Sequence, residues 1–243
     1  MGALFIKEIQ SFFSSLIGYV VIGIFVLLLG LMMWVFPDFS LLNYNYASLD
    51  QLFSLSPMIF LFLIPAITMR SFSEEIQNGT IEILLTKPIR ELDIVAGKFM
   101  ACLALVCIAL IPSSLYFYSV YQLGSPKGNI DVGSVMGSYI GLFMLAAAFT
   151  SIGIFCSTLF KNQIVAFLSS LSLCYIFYFG FLFISKLPVF FGKTDDIVQR
   201  IGMDYHYNSL SKGLVDLKDV IYFISITFFF LFLTIESLKS RKF

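Results

Sequence analysis

The sequence has few charged residues and a single histidine. Only 12% of its 243 residues are charged, with 15 basic and 15 acidic side chains, whereas an average soluble domain carries about 25%. Hydrophobic residues make up 59% of the chain, and the mean hydropathy is +0.93. So few charges cannot cover the surface of a soluble domain of this size. The composition therefore excludes an ordinary soluble protein and indicates a membrane protein.

The motifs of common catalytic centres are also missing. There is no H-E-x-x-H, no C-x-x-C and no G-x-S-x-G, which leaves zinc hydrolysis and nucleophile-elbow chemistry without their residues. Gly192-Lys193-Thr194 resembles the end of a P-loop, but Leu187 stands where that motif needs its first glycine. His206, close to Asp204, is interpreted as a solvated polar residue. We predict no catalytic residue, no metal site and no enzymatic activity.

Long charge-free stretches alternate with short charged tracts along the whole chain. About 20 helical residues cross the ~30 Å hydrocarbon core of a bilayer. The sequence therefore predicts an all-α polytopic membrane protein with six transmembrane helices in a single domain, 1–243. The spans are expected at about 16–36, 52–69, 99–121, 132–160, 162–185 and 220–235.

Basic residues predict the orientation, since they accumulate in cytoplasmic connections. Placing both termini inside puts nine Lys and Arg in the cytoplasm and six outside, most of the latter in one long loop. We therefore expect an inner-membrane protein with N-in and C-in topology. The charged residues nearest the spans are expected to lie at helix ends and to reach the membrane surface. These residues are Arg70, Lys98, Lys161, Lys186 and Glu236.

Three glycines form two consecutive small-xxx-small steps at the start of the fourth span: Gly133, Gly137 and Gly141. Small residues let helix backbones approach closely, and in lipid such packing is a main force of association. Two interpretations stay open from the sequence. The glycines pack against another helix of the same chain, or they form a subunit interface.

Two segments on the cytoplasmic side have an amphipathic character. Residues 1–15, with Lys7 and Glu8, are predicted to form a helix lying in the membrane interface. In the 70–98 connection, Ser71 and Glu74 have the spacing of a capping box. Asn78-Gly79 is typical of a left-handed helix stop, and Thr80 is placed to begin a second short helix. The connection is thus predicted to be a compact helical hairpin.

These features resemble ABC-2 type transporter permeases. The segments that carry the resemblance are Lys7 to Ile9, Gly18 to Val21, Arg70 to Pro88, Gly97 to Phe99 and His206 to Phe223. The most specific of them is E-E-x-x-x-G-T-I-E in the 70–98 connection. The resemblance covers essentially the whole chain, and within the family it is greatest to the permeases associated with gliding motility in Bacteroidetes-type bacteria.

The resemblance implies a permease subunit that dimerises, with itself or with a paralogue, and docks a separate ABC ATPase that binds the ATP. It further implies membrane lipids as partners, no nucleic acid, no cofactor of its own, and a re-entrant helical piece within an outer loop at 186–219. Lys7 and Glu8 would belong to the interfacial helix. The coupling region that contacts the ATPase would contain Arg70, Glu74, Glu75, Gly79, Thr80 and Glu82.

Other functions remain open from the sequence. The acidic connection is also compatible with a plain solvated linker, although its apolar residues beside three glutamates favour a docking role. A non-transporting scaffold or assembly protein for a cell-surface machine is the main alternative function. A passive channel or secondary carrier is disfavoured, because such proteins use charges within the spans.

Overall fold

A computed structural model describes residues 2–37, 40–41, 47–86, 89–188 and 195–241. Throughout these ranges the regular structure is helical and no strand occurs. The predicted all-α class is therefore confirmed. The Gly192-Lys193-Thr194 tripeptide, and Lys87 and Pro88 of the cytoplasmic connection, lie outside the described residues.

The N-terminal part consists of a short helix, a sharp bend and two long apolar helices. Helix α1 covers Gly2–Ser14, α2 covers Leu16–Trp34 and α3 covers Asp50–Thr68. The bend between α1 and α2 is 74°. Glycine is needed there, because a Cβ atom at Gly18 would lie 2.6 Å from the carbonyl oxygen of Phe12. The bend turns α1 away from the direction of α2, as an interfacial helix ahead of a span requires.

A helical hairpin follows α3 after one residue. Helix α4 covers Arg70–Gln77 and α5 covers Thr80–Thr86. The predicted capping box is wrong. Met69 occupies the N-cap position of α4 without a side-chain cap, and Ser71 is a buried residue inside the helix. The chain needs no capping side chain here because Met69 has helical dihedrals and continues the hydrogen bonding of α3.

Two longer elements form the middle of the chain. Helix α6 covers Glu91–Leu110 and continues through a 3₁₀ turn at Ile111–Ser113 into α7, Ser114–Leu123. The 3₁₀ turn contains Pro112, which has no N–H for the helical ladder and so interrupts it. Helix α8 covers Val132–Leu159 and packs against α3, α6, α9, α12 and α13.

The C-terminal part contains two long helices separated by short ones. Helix α9 covers Gln163–Tyr175 and passes through a π-helical turn, Ile176–Gly180, into α10, Phe181–Ser185. Two short helices follow, α11 at Asp195–Gln199 and α12 at Met203–Leu210. The last helix, α13, covers Leu217–Lys239.

Five segments of the described chain are long and apolar enough to cross a membrane, and the bent α1–α2 pair makes a sixth. The five are 50–77, 91–123, 132–159, 163–185 and 217–239. The path of the chain through them brings α1, α4 and α5 to one end of the bundle, which we call the hairpin end. Helices α11 and α12 lie at the opposite end, which we call the distal end.

The bundle is built around α8 and leaves two helices largely uncovered. In the most apolar 18-residue stretch of α8, 72% of the residues are buried, whereas the corresponding share is 17% in each of the 163–185 and 217–239 segments. Large apolar side chains such as Phe228, Phe229 and Phe232 of α13 are exposed. In a bilayer, such faces meet lipid tails or another apolar protein surface.

At the distal end, α12 is inserted against α3 and α8. The hydroxyl of Tyr207 donates a 2.6 Å hydrogen bond to the carbonyl of Phe53. That carbonyl has no helical partner because Pro57, four residues later, lacks an N–H. Tyr207 is 2% exposed. The proline in α3 and the tyrosine in α12 therefore complete one buried hydrogen bond across the bundle.

Two of the predicted packing glycines lie where α8 meets the end of α12. A Cβ atom at Gly137 would lie 2.5 Å from the carbonyl oxygen of Gly213, and one at Gly141 would lie 2.6 Å from the Cβ of Leu210. Both contacts are within the chain. The third glycine, Gly133, makes no such approach, since its nearest neighbour is the carboxylate of the helix-capping Asp131.

The interpretation of His206 as a solvated residue is wrong. Its ring is 9% exposed, with Nδ1 2.7 Å from the carboxylate of Asp219 and Nε2 2.9 Å from the carbonyl of Arg200. It also stacks on Tyr222 with ring centroids 3.8 Å apart. Packing of α12 on α13 brings the two polar groups together, and each then replaces the water that the other has lost.

Candidate functional site

A buried lysine marks the hairpin end of the bundle. Lys98 of α6 is only 1% exposed. Its Nζ lies 2.8 Å from Glu8 Oε1 and 3.1 Å from Glu75 Oε2, and it donates to the carbonyl of Ser71 at 2.5 Å. Three oxygen atoms thus take the place of water around the ammonium group. We call Lys7, Glu8, Glu75 and Lys98 the Lys98 cluster.

The expectation that Lys98 lies at a helix end and reaches the membrane surface is wrong. Helix α6 begins at Glu91, so Lys98 lies about two turns, or about 10 Å, inside it. At that depth the side chain turns towards α1 and α4. Isolated burial of a charged ammonium is costly, and carboxylates supplied by these two helices compensate it.

Glu75 joins two lysines from different helices. Besides Lys98 it contacts Lys7, whose Nζ donates to Glu75 Oε1 at 2.9 Å. Partial burial opposes the charged form of Lys7, but the hydrogen bond and charge of Glu75 outweigh it and raise the pKa of Lys7. The side chain of Lys7 is 58% exposed and that of Glu75 is 14% exposed. The cluster therefore runs from the surface inward to α6.

Arg70 fastens the base of the hairpin to the bend between α1 and α2. Its Nε donates to Glu74 at 3.0 Å, and its Nη1 donates to the hydroxyl of Ser15 at 3.2 Å. Phe72, fully buried in α4, has its ring centroid 4.9 Å from the Lys98 ammonium, within the range of a cation–π contact. The base of the hairpin is thus held by both charge and packing.

The far part of the hairpin is constructed differently. Residues 77–80 and Glu82 are exposed, while Ile81 is buried. Gly79 has φ of +71°, the left-handed conformation expected from the sequence, which glycine adopts without strain. The hydroxyl of Thr80 donates to the carbonyl of Glu75 at 3.3 Å. We call 77–82 the hairpin tip; it turns at Gly79 and is mostly exposed to solvent.

The residues predicted for the site thus fall into three places. Lys7, Glu8 and Glu75 meet around Lys98, and Arg70 and Glu74 pair beside them. Gly79, Thr80 and Glu82 lie at the tip. The packing glycines lie at the distal end, away from the cluster. Only the first group forms a set of interacting charges.

Comparison with protein families identifies the family of the chain. Residues 3–239 match the family model described as ABC-2 family transporter protein. The chain belongs to this family. No curated protein matches the sequence.

As a member of the ABC-2 family, the chain is a membrane protein of the kind that serves as the permease subunit of an ABC transporter, and membership implies association with an ABC ATPase. In this ABC-2 protein, the Lys98 cluster lies at the base of the connection between the second and third membrane-crossing segments. The tip of that connection is the exposed end of the same hairpin. The buried base and the exposed tip are therefore different residues of one short segment.

Sequence reasoning missed Lys98 and the carbonyl of Ser71. The signal was present, because Lys98 stands between Gly97 and Phe99 at the start of a long apolar run. A lysine followed directly by more than ten apolar residues, and preceded by helix-compatible residues from Glu91 onward, is inside a helix and not at its end. Its partner Glu8 is 90 residues away, which sequence spacing does not reveal.

Proposed function

We propose that this protein is the membrane-spanning subunit of an ABC transporter in the bacterial inner membrane. It couples ATP hydrolysis by a separate cytoplasmic ATPase to export or to mechanical work, and carries no hydrolytic residue itself. The observation that carries this proposal is the Lys98 cluster. It connects the interfacial helix α1, the hairpin helix α4 and the membrane-crossing helix α6 through ion pairs of 2.8 to 3.1 Å.

The hairpin is the surface proposed to receive the ATPase. Its tip is exposed, and the chain reverses there at Gly79, which has the left-handed conformation. Such an exposed turn suits docking into a groove of a partner. Its base is buried and paired to Lys98. A displacement of the tip would therefore carry Glu75 along, and α6 would have to follow. Separating the pair would remove one of the two carboxylates that compensate the buried Lys98 ammonium, which opposes the separation.

Topology with both termini in the cytoplasm is part of the proposal. The distribution of basic residues supports it, and so does the placement of both termini at the hairpin end. There, Arg241 donates to the carbonyl of Thr158, at the end of α8, at 2.7 Å, while α1 packs on α6. With six crossings, the two ends of the chain lie on the same side as the hairpin.

A dimer of permease subunits, identical or paralogous, is also proposed, with lipids covering the remaining surface. Support comes from the exposed apolar faces of the 163–185 and 217–239 segments. An apolar groove of about 390 Å³ between α2, α3 and Phe167 of α9 is a further surface that lipid or protein would fill. A role in gliding motility is part of the proposal as well, because within the family the sequence resembles most the permeases associated with gliding motility.

The docking role is tested by variants of the tip that leave the base intact. We expect Glu82→Lys and Gly79→Pro to reduce co-purification of the ATPase while the protein inserts normally. Proline fixes φ near −65° and cannot adopt the +71° of Gly79. Asp196→Lys, an equally exposed acid at the distal end, is the matched control and should have no effect.

Unchanged co-purification with both tip variants would refute docking at the hairpin. Glu75→Lys also disturbs this site, but it breaks the Lys98 cluster at the same time, so it cannot separate docking from folding. A stable complex with cell-surface proteins and no ATPase in it would favour the scaffold alternative.

A further inference from the structure

A cavity of about 400 Å³ opens at the distal end, on the opposite side of the bundle from the Lys98 cluster. Its lining includes Asp204 and Asn208 of α12, Lys212 just after it, and Lys218 and Asp219 at the start of α13. Leu182 of α10 adds an apolar part. Cavities of this volume accommodate small polar molecules or a lipid headgroup.

Asp204 contributes a carboxylate that forms no close ion pair with the described residues, although the charge of Lys186 acts on it from a longer distance. Within the described residues no lysine, arginine or histidine lies at ion-pair distance from it. Burial raises the pKa of Asp204, although hydrogen bonding from Tyr178 and Asn208 works in the opposite direction. A carboxylate in this position is stabilised by any cation that enters the cavity.

Asp219 adds a second unmatched oxygen to the same wall. Its Oδ1 is bound to His206 at 2.7 Å. Its Oδ2 is buried and has no hydrogen-bond partner among the described residues. Buried polar atoms are nearly always paired in folded proteins. The carboxylate itself has no exposed surface, so Asp219 contributes negative charge behind the cavity wall, which the hydrogen bond to His206 partly offsets.

Lys212 provides the opposite charge at the rim. It is exposed, and no carboxylate of the described chain lies at ion-pair distance from it, whereas the neighbouring Lys218 is paired with Asp216 at 3.0 Å. Asp204 and Lys212 therefore face one cavity without pairing with each other. A purely anionic ligand would be repelled by the acids, and a metal cation by the lysine. A molecule carrying both charges is repelled by neither.

We propose that this cavity binds a zwitterionic amine, with its ammonium group at Asp204 on the wall shared with Asp219 and its phosphate or carboxylate at Lys212. The ammonium donates to the Asp204 carboxylate and is attracted by the charge of Asp219 behind it, and the anionic group pairs with the exposed lysine. The phosphoethanolamine group has this chemistry. It is available from two sources, the headgroup of a membrane lipid and a free water-soluble zwitterion.

The test is isothermal titration of the purified full chain in detergent with three probes. These are short-chain phosphatidylethanolamine, free O-phosphoethanolamine and short-chain phosphatidylglycerol, which lacks the amine. We expect binding of an ethanolamine probe and none of the glycerol lipid. Binding should weaken about ten-fold or more in Asp204→Asn and in Lys212→Gln, because each removes a charge-assisted hydrogen bond. Asp196→Asn and Lys127→Gln, which change charge outside the cavity, should bind as the parent protein does.

The same experiment distinguishes the lipid headgroup from the free zwitterion as the ligand. Tighter binding of the short-chain lipid than of free O-phosphoethanolamine identifies a headgroup site, and equal binding identifies a site for a soluble zwitterion. The proposal is overturned if neither ethanolamine probe binds, if phosphatidylglycerol binds equally well, or if the two cavity variants bind like the parent. A melting temperature equal to that of the parent, measured for each variant, ensures that a loss of binding is not a loss of folding.

Discussion

The two ends of the bundle each bury a charge-bearing side chain, but they compensate it in different ways. At the hairpin end, Lys98 is 1% exposed and pairs with residues of α1 and α4, which come from distant parts of the chain. At the distal end, Asp219 is fully buried and pairs with His206, only 13 residues away. The first arrangement joins three separate segments, whereas the second joins two neighbouring helices.

This difference indicates different mechanical roles. A local pair such as His206–Asp219 fixes α12 on α13, and the hydrogen bond from Tyr207 fixes α12 on α3. At the distal end, α12 is thus held by its immediate neighbours α13 and α3. In contrast, α6 cannot move relative to α1 or α4 at the hairpin end without disturbing the contacts of Lys98. The comparison predicts that damage at the hairpin end affects coupling and damage at the distal end affects local stability.

The largest effect is expected from Lys98→Met. The substitution removes one positive charge and leaves Glu8 and the buried oxygen of Glu75 facing an apolar side chain. Loss of one partner of a buried ion pair costs about 3–5 kcal/mol. We expect a marked drop in the thermal unfolding temperature in detergent, with faster hydrogen exchange in α1 and α4 but unchanged exchange in α12.

The charge-balanced variant Lys98→Met with Glu75→Gln is the control for that experiment. It removes one positive and one negative charge together, and it should recover much of the lost stability, because replacing both partners is far less costly than breaking the pair. A single Lys98→Met variant as stable as the parent would contradict the assignment of Lys98 as a compensated buried charge.

Gly137→Ala is expected to have the next largest effect, at the distal end. Alanine in a helix normally gains up to about 1 kcal/mol over glycine. Here the added methyl group would meet the carbonyl of Gly213, and overpacking of this kind costs about 1–3 kcal/mol. Gly133→Ala, whose Cβ meets only an exposed capping carboxylate, serves as control. Equal unfolding temperatures of the two variants would show that α8 and α12 are not closely packed.

A smaller effect is expected from Tyr207→Phe, which removes the hydrogen bond to the Phe53 carbonyl. Leaving a buried acceptor unsatisfied costs about 1–3 kcal/mol. The cost should shrink in a Pro57→Ala background, since alanine restores an N–H that reaches the same carbonyl within α3. A double-mutant cycle measured by thermal unfolding tests this coupling. Additive effects of the two substitutions would mean that the Tyr207 hydroxyl does not replace the N–H that Pro57 lacks.

The smallest effect on stability is expected from Glu82→Lys. The side chain is exposed at the hairpin tip, and substitutions at such positions usually change the free energy of unfolding by less than about 0.5 kcal/mol. Its effect should instead appear in ATPase binding, measured by co-purification. A large loss of stability in this variant would indicate that the tip is part of the fold and not a free docking surface.

The sequence predicted the features that depend on local pattern. Charge-free runs about 20 residues long indicate helices that can cross a bilayer, and the Asn78-Gly79 pair correctly indicates a left-handed turn at Gly79. The helical class and the two short helices of the hairpin follow from the same kind of information. Each of these depends on one continuous stretch of sequence and not on contacts between distant segments.

Features that depend on tertiary neighbours were not predictable in the same way. Ser71 has the spacing of a cap but lies inside a helix that continues from α3. Lys98 seemed terminal because the helical residues from Glu91 onward are too polar to be counted in an apolar run. His206 seemed solvated because nothing in its local sequence indicates packing on Asp219 and Tyr222. In each case, contacts between helices decided the environment of the side chain.

The coupling role of the Lys98 cluster is tested most directly by hydrogen exchange in the assembled complex with its ATPase. Exchange in α4, α5 and α6 is compared between the ATP-bound and ADP-bound complex, for the parent and for the charge-balanced Lys98→Met, Glu75→Gln variant. We expect nucleotide to change exchange in all three helices of the parent, but only in α4 and α5 of the variant. If nucleotide changed exchange in α6 of the variant as much as in α6 of the parent, transmission through Lys98 would be contradicted.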